Sequence, residues 1–233
     1  MQNLQINPLI IKDKCKLKNF VKKNWSKNHL FTKDETIFNF QYHYKNKFSF
    51  LVARKKSEIL GVQGYIDYAK YNKIEHSKQI FLAFWCVKTN SNFGIGLKLH
   101  NKIMDLVKPS FVGIVGINVR ALKLHKWLGF KVFKMRHHVL ISPFKKKFNI
   151  IKFNNLLKFS LKSNKVINSK FIQIKKSNIK KLINNDFYKI QTPLKSNKYI
   201  LERYLKHPIY NYLIFLSLNK DNEPYSLFVL RKI

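Results

Sequence analysis

Gln79-Ile-Phe-Leu-Ala-Phe-Trp-Cys-Val87, then Lys88-Thr-Asn-Ser-Asn-Phe-Gly94-Ile-Gly96, decides how this chain is read. The first run is almost unbroken in apolar and aromatic residues, which predicts a strand covered on both faces. The second is a polar loop with two glycines. Beyond it Leu97, His100, Ile103, Met104 and Val107 recur at helical spacing, so a helix opens at or near Gly96 and ends before Pro109. The loop thus delivers the chain into a helix N-terminus, where up to four N–H groups lack intrahelical partners and the helix dipole favours an anion. Gly94 and Gly96 have no Cβ, so a diphosphate could approach the main chain there.

Working outward, Phe111-Val-Gly-Ile-Val-Gly-Ile117 reads as a second buried strand. Asn118 to Trp127 reads as a short helix that Asn118 caps and Gly129 stops. A dinucleotide-binding fold would need a third glycine and an acidic residue about twenty positions on; neither is present.

The run Asn118-x-x-Ala121, His125, Leu128-Gly129-Phe130 resembles the last helix of the GNAT superfamily, the acyl-CoA-dependent N-acyltransferases. Ser91-x-x-Gly94-x-Gly96 is similar to that superfamily's diphosphate loop, with Ser91 where Gln or Arg is usual. The resemblance implies an α/β fold with a mixed, mostly antiparallel sheet flanked by helices. It also implies acetyl-CoA or another acyl-CoA as donor, held by the main chain of Val87, Asn92, Phe93, Gly94, Ile95, Gly96 and Leu97, with Asn118 assisting. His125 stands where the family commonly places a tyrosine that protonates the leaving thiolate, and an imidazole can do the same. In the family the strand before the loop splays from its neighbour and a main-chain N–H steadies the carbonyl oxygen; the matching stretch is Ala83 to Val87. The implied reaction is transfer of an acyl group, acetyl first among them, to a primary amine, with an amino sugar or its nucleotide conjugate as acceptor. No general base is assigned; Asp67, Glu75 and His76 lie upstream, and Asp105 is expected to face water.

Upstream, Phe48 to Ala53 and Ile59 to Ile66 read as a hairpin. A similar pattern returns near the C-terminus, where Tyr42, Phe48, Phe50, Leu51 and Val52 align at an offset of 162 with Tyr204, Tyr210, Tyr212, Leu213 and Ile214. The expected organisation is an acyltransferase-like domain over residues 1–143. A partial second copy without a phosphate loop follows over residues 144–233, begun by a strand at Phe171 to Ile174 and a helix at Ile179 to Ile183. Lys131 to Ile141 reads as a further strand. Tandem arrangements of this kind are found in the family among proteins of surface-polysaccharide biosynthesis.

Composition narrows the partners. The formal charge is +35, yet only five of the 46 basic residues are arginine and lysines are spread along the chain without a nucleic-acid motif. Nonspecific attraction of polyanions follows, and the competing reading is a catalytically degenerate module that binds RNA or another polyanion. Two cysteines, Cys15 and Cys86, have no metal-ligand spacing, so no metal is expected and a reduced, cytoplasmic setting is the simplest. No apolar run approaches the roughly 20 residues of a membrane span. A homodimer is compatible with the sequence, which carries no mark of oligomeric state.

Overall fold

The computed structural model describes residues 3–72, 78–91, 94–135, 170–189 and 191–231. In chain order the elements are β1 (Gln5–Pro8), α1 (Lys14–Asn24), α2 (Leu30–Lys33), α3 (Glu35–Tyr42), β2 (His43–Tyr44), β3 (Lys47–Phe48), β4 (Phe50–Lys55), β5 (Glu58–Asp67), α4 (Ala69–Asn72), β6 (Gln79–Val87), α5 (Ile95–Val107), β7 (Phe111–Ile114), α6 (Val119–Trp127), β8 (Lys170–Ile174), α7 (Ile179–Leu182), α8 (Asn197–Ile200), β9 (Tyr212–Leu218) and β10 (Pro224–Arg231). The chain forms two compact units, Met1–Val115 with Ser169–Ile233, and Gly116–Asn168. Only α6 and its flanks are described in the second unit.

The larger unit holds a five-stranded sheet in the order β1-β4-β5-β6-β7, antiparallel throughout except for the parallel pair β6/β7. That one parallel pair needs a crossover, and α5 supplies it. Ile95, Leu99 and Ile103, one helical face at four-residue spacing, are buried against Leu51, Ala53, Leu60, Ile80 and Leu82 of the sheet. Each such side chain contributes at most about 1.5–3 kcal/mol relative to an exposed one. The opposite helix face, with Lys98, Lys102 and Asp105, is exposed. On the other side of the sheet α1 and α3 pack Leu17, Phe20, Val21, Phe38 and Tyr42 onto Phe50, Val52, Val62 and Phe84.

A second sheet, β10-β9-β8, is antiparallel, and it repeats the first pair by pair. The cross-strand row Ile6–Ala53–Gly61 has its counterpart in Gln173–Phe215–Phe228, and Asn7–Val52–Val62 in Ile174–Ile214–Val229. The offset of 162 read from the sequence maps α3 onto α8 and the π-helical turn Leu201–Leu205 that continues it, and β4 onto β9. The outer strands match at an offset of 167, because the segment from β8 to β9 is five residues shorter than that from β1 to β4 and the turn from β9 to β10 five residues longer than that from β4 to β5. This half packs Ile174, Ile214, Leu216 and Tyr199 against Tyr68 and Tyr71 around α4, and the Tyr68 and Tyr199 rings stack 5.1 Å apart. Polar ties run across the same seam: Asn72 Nδ2 donates to Leu194 O (2.9 Å), and Leu194 N–H to Gln79 Oε1 (2.7 Å).

Two strand expectations change. The strand from Phe111 stops at Ile114, not Ile117, because Gly116 turns the chain at φ +69°. Lys131 to Met135 carry no strand, and the rest of that stretch, like Glu75, His76 and residues 144–169, lies outside the described residues.

Candidate active site

β6 changes neighbours along its length. Its first half, Gln79 to Leu82, is paired on both sides, by β5 and by β7. At Ala83 the register with β5 slips by one residue, since Gly64 faces Phe84 while Tyr65 faces Leu82. β7 ends opposite Leu82, so Ala83 to Val87 have no strand on that side among the described residues. Lys88 N–H donates to Leu60 O (2.8 Å), and antiparallel alternation from that bond turns the main-chain N–H groups of Trp85 and Val87 away from β5, toward the opening. The slip also swaps faces: Leu82 lies under α5, whereas Phe84 and Cys86 join the core under α1.

The loop that follows leads into α5 through Gly94, the N-cap, at φ +85°. Among the described residues, and apart from its own chain neighbours, no heavy atom lies within 4 Å of where a Cβ of residue 94 would stand, which leaves the main chain open to a ligand there. The first intrahelical bond runs from Lys98 N–H to Gly94 O (2.9 Å) and no side chain caps the helix, so the N–H groups of Ile95, Gly96 and Leu97 point out of its start. Gly96 has a different reason: a Cβ there would meet Trp85 at Cζ2 (3.0 Å) and Nε1 (3.2 Å). The indole fills that space and stacks on the buried His100 ring, 6.1 Å away. Asn92 and Phe93 lie outside the described residues.

In the smaller unit Asn118 Oδ1 accepts from Ala121 N–H (2.9 Å), the cap expected from the sequence, and Gly129 ends the helix at φ +86°. His125 is buried, with its ring 5.3 Å from Phe130 and Nδ1 2.6 Å from Ala121 O. A carbonyl only accepts, so Nδ1 carries the hydrogen, and His125 can give up a proton from Nε2 only as an imidazolium.

Of the carboxylates weighed as bases, Asp105 is exposed on α5. Asp67 is half-buried, its carboxyl pushed above the ordinary range by desolvation, and its Oδ1 caps Ala69 N–H (2.8 Å). It faces Ile80, seven residues before Val87, hence roughly 23 Å along the strand from the loop. The sequence reading missed an aromatic cluster on the α1 side. The Trp25 and His29 rings lie 5.0 and 5.2 Å from Phe84, on the opened half of β6, and Phe31 lies 4.6 Å from His29. Burial lowers the His29 pKa, and its Nδ1 accepts from Phe31 N–H (3.2 Å). Among the described residues no group of three His, Cys, Asp or Glu could hold a metal ion, and no helix is long and apolar enough to cross a membrane.

A candidate acetyltransferase from Pyrococcus horikoshii superposes with a TM-score of 0.55 over 94% of this chain and 69% of its own, at 15% identity. The fold is GNAT-like. Other similar structures are the aminoglycoside N-acetyltransferase AAC(6')-Iy in complex with CoA (14% identity, TM-score 0.46, 60% of this chain and 96% of that one) and an aminoglycoside acetyltransferase from an uncultured soil metagenomic sample in complex with sisomicin (19%, 0.44, 60% and 95%). No protein-family model matches the sequence, and no curated protein does.

Proposed function

We propose that the chain is an acyl-CoA-dependent N-acyltransferase that moves an acetyl group to a primary amine on a small molecule, an amino sugar or nucleotide-linked amino sugar being the favoured acceptor. The observation that carries this reading is the opening of β6 beyond Leu82 directly beside a glycine-led helix start. Acetyl-CoA, when bound, supplies an activated thioester. The open main chain at Gly94 and the outward N–H groups of Ile95, Gly96 and Leu97 fit its diphosphate, an anion that prefers such a terminus. By the sequence resemblance, Asn92, Phe93 and Asn118 are the further residues assigned to the coenzyme.

The N–H of Val87 and its neighbours along the opened edge would donate to the carbonyl oxygen as charge builds on it, without reorganisation. His125, the acid assigned by the sequence resemblance, would as an imidazolium supply a proton to a departing thiolate. Trp25, His29 and Phe84 form the wall on which the acceptor rests. An amine must arrive neutral to attack, and ambient base can meet that need for amines of modest basicity. The donor's reach into the opened edge and the acceptor's approach along the aromatic wall are what the fold supplies.

Titration calorimetry of the folded protein with acetyl-CoA and with CoA tests the donor. Saturable binding that persists at 300 mM salt is expected, since a diphosphate seated on amides retains a salt-tolerant part. Binding only of RNA, steeply weakened by salt, would instead establish the polyanion-binding module. Thiol release over a panel of amines and amino sugars then identifies the acceptor.

A further inference from the structure

The two halves differ where it matters for charge. In the first half, Asp34 caps α3 through Thr36 N–H (2.8 Å), and the next residue, Glu35, takes Lys14 (2.7 Å) and Lys18 (3.2 Å) of α1. Glu35 is held at a pKa of about 2 by those two lysines. At the offset of 162 these two acids become Ser196 and Asn197. Lysines nonetheless gather around them: Lys180 on α7, which stands in the element order where α1 stands, and Lys195 and Lys198 on either side of the pair. They line an open groove of about 750 Å³. That is the size of a site for a small-molecule ligand.

The groove is held in shape by bonds internal to its floor. Ser196 Oγ donates to Asn72 Oδ1 (2.8 Å) and caps Tyr199 N–H (3.1 Å), while Asn197 Nδ2 donates to Ile183 O (2.6 Å) and its Oδ1 accepts from Tyr188 OH (3.0 Å). Those carboxamides are therefore committed to the walls and neutralise nothing. The lining contains no carboxylate; the nearest acid in sequence, Asp186, pairs with Lys189 at the rim (2.6 Å). Lys195 is half-buried, its Nζ bonded to Gln191 Oε1 (3.2 Å), and desolvation lowers its pKa. A partly desolvated ammonium with a neutral acceptor gains from an anion, and gains more than an exposed lysine would.

We propose that this groove binds a small phosphorylated ligand, its phosphate or diphosphate taking the place that the carboxylates of Asp34 and Glu35 fill in the first half, between Lys180 and Lys195. This site is separate from the loop before α5 and does not rest on the acyltransferase reading.

The test uses the full chain, calorimetry at 150 mM salt, and two probes, inorganic pyrophosphate and a nucleoside diphosphate. One-to-one binding of at least one probe is expected. The Lys180→Gln/Lys195→Gln variant should weaken it at least tenfold, whereas Lys16→Gln/Lys22→Gln on the exposed face of α1, an equal loss of charge, should leave it within twofold. Ser196→Asp, which restores an acid while keeping the cap, should also weaken it at least tenfold with the melting curve intact. Absence of binding by folded protein, equal losses in the two lysine pairs, or binding only to vesicles of anionic phospholipid would each overturn the proposal. So would a parallel loss of CoA affinity in the Lys180/Lys195 variant, which would make the groove part of the coenzyme's site.

Discussion

Replacing Gly96 with alanine separates packing from ligand approach as the reason for that glycine. The new methyl would stand 3.0 Å from Trp85 Cζ2 and 3.2 Å from Nε1, several tenths of an ångström inside van der Waals contact with a ring that is itself stacked on His100. Overpacking of this kind costs about 1–3 kcal/mol. Alanine returns up to about 1 kcal/mol through helix propensity, less in the first turn. The net expectation is a loss of about 1–2 kcal/mol, or a fall in Tm of roughly 2–8 °C for a chain of this size. In a Trp85→Leu background the obstruction is gone, so the same Gly96→Ala change should become neutral or stabilising. Urea denaturation of the four proteins in a double-mutant cycle reads the coupling, expected at about 1 kcal/mol or more. A coupling below about 0.5 kcal/mol would refute the assignment of Gly96 to the indole and return that glycine to the ligand.

Other outcomes follow from buried polar groups. Gln63 is fully buried between Leu51 and Trp85, and neither amide atom has a partner among the described residues, so Gln63→Met should raise Tm by a few degrees; about 1–2 kcal/mol of desolvation is relieved, and an unchanged or lower Tm would count against it. Asp13 and Arg54 form a largely buried ion pair (2.9 Å), so Asp13→Ala, which strands the guanidinium, should cost about 3 kcal/mol in urea melts. Lys70 Nζ is bonded to the Asn39 and Phe40 carbonyls at the end of α3, and burial, with Arg203 beside it, lowers its pKa to about 8. The unfolded chain then holds a proton that the folded chain has lost between about pH 8 and 10.5, so stability contributed at this site should rise with pH across that window, and Lys70→Met should remove the slope in pH-dependent melts. Gly94→Val, strained at φ +85° but projecting into open space, should lower CoA affinity by about tenfold or more with a smaller effect on stability, measured by calorimetry and thermal melts.

Much of the architecture was legible because local and global preferences agree. The strand Gln79 to Val87 and the helix before Pro109 lie where the apolar run and the helical spacing put them, and Asn118 and Gly129 bound their helix as their chemistry requires. The slip at Ala83 was not legible: in a run apolar at every position, no alternation marks the point where the faces exchange. The aromatic wall was hidden for a related reason, since Phe84 lies more than fifty residues beyond Trp25 and His29 and each reads alone as ordinary core. The likeness in register between the two sheets runs at an offset of 162 in α3 and β4 and at 167 in the outer strands, so no single alignment of the sequence carries all of it. The motif reading gave Gly94 and Gly96 one purpose. Three-dimensional neighbours give them two, an open main chain at one and an indole at the other.

The seam around α4 sets how the molecule can be dissected. Tyr68 and Tyr71 take their cover from Tyr199, Ile200 and the β9 core, while Gln79, the first residue of the strand that later opens, is anchored by Leu194. Cutting the C-terminal half away would therefore bare a sticky aromatic shelf and loosen the root of that strand. A minimal recombinant version for soaking or screening has to keep both halves, however little the trailing one resembles an enzyme.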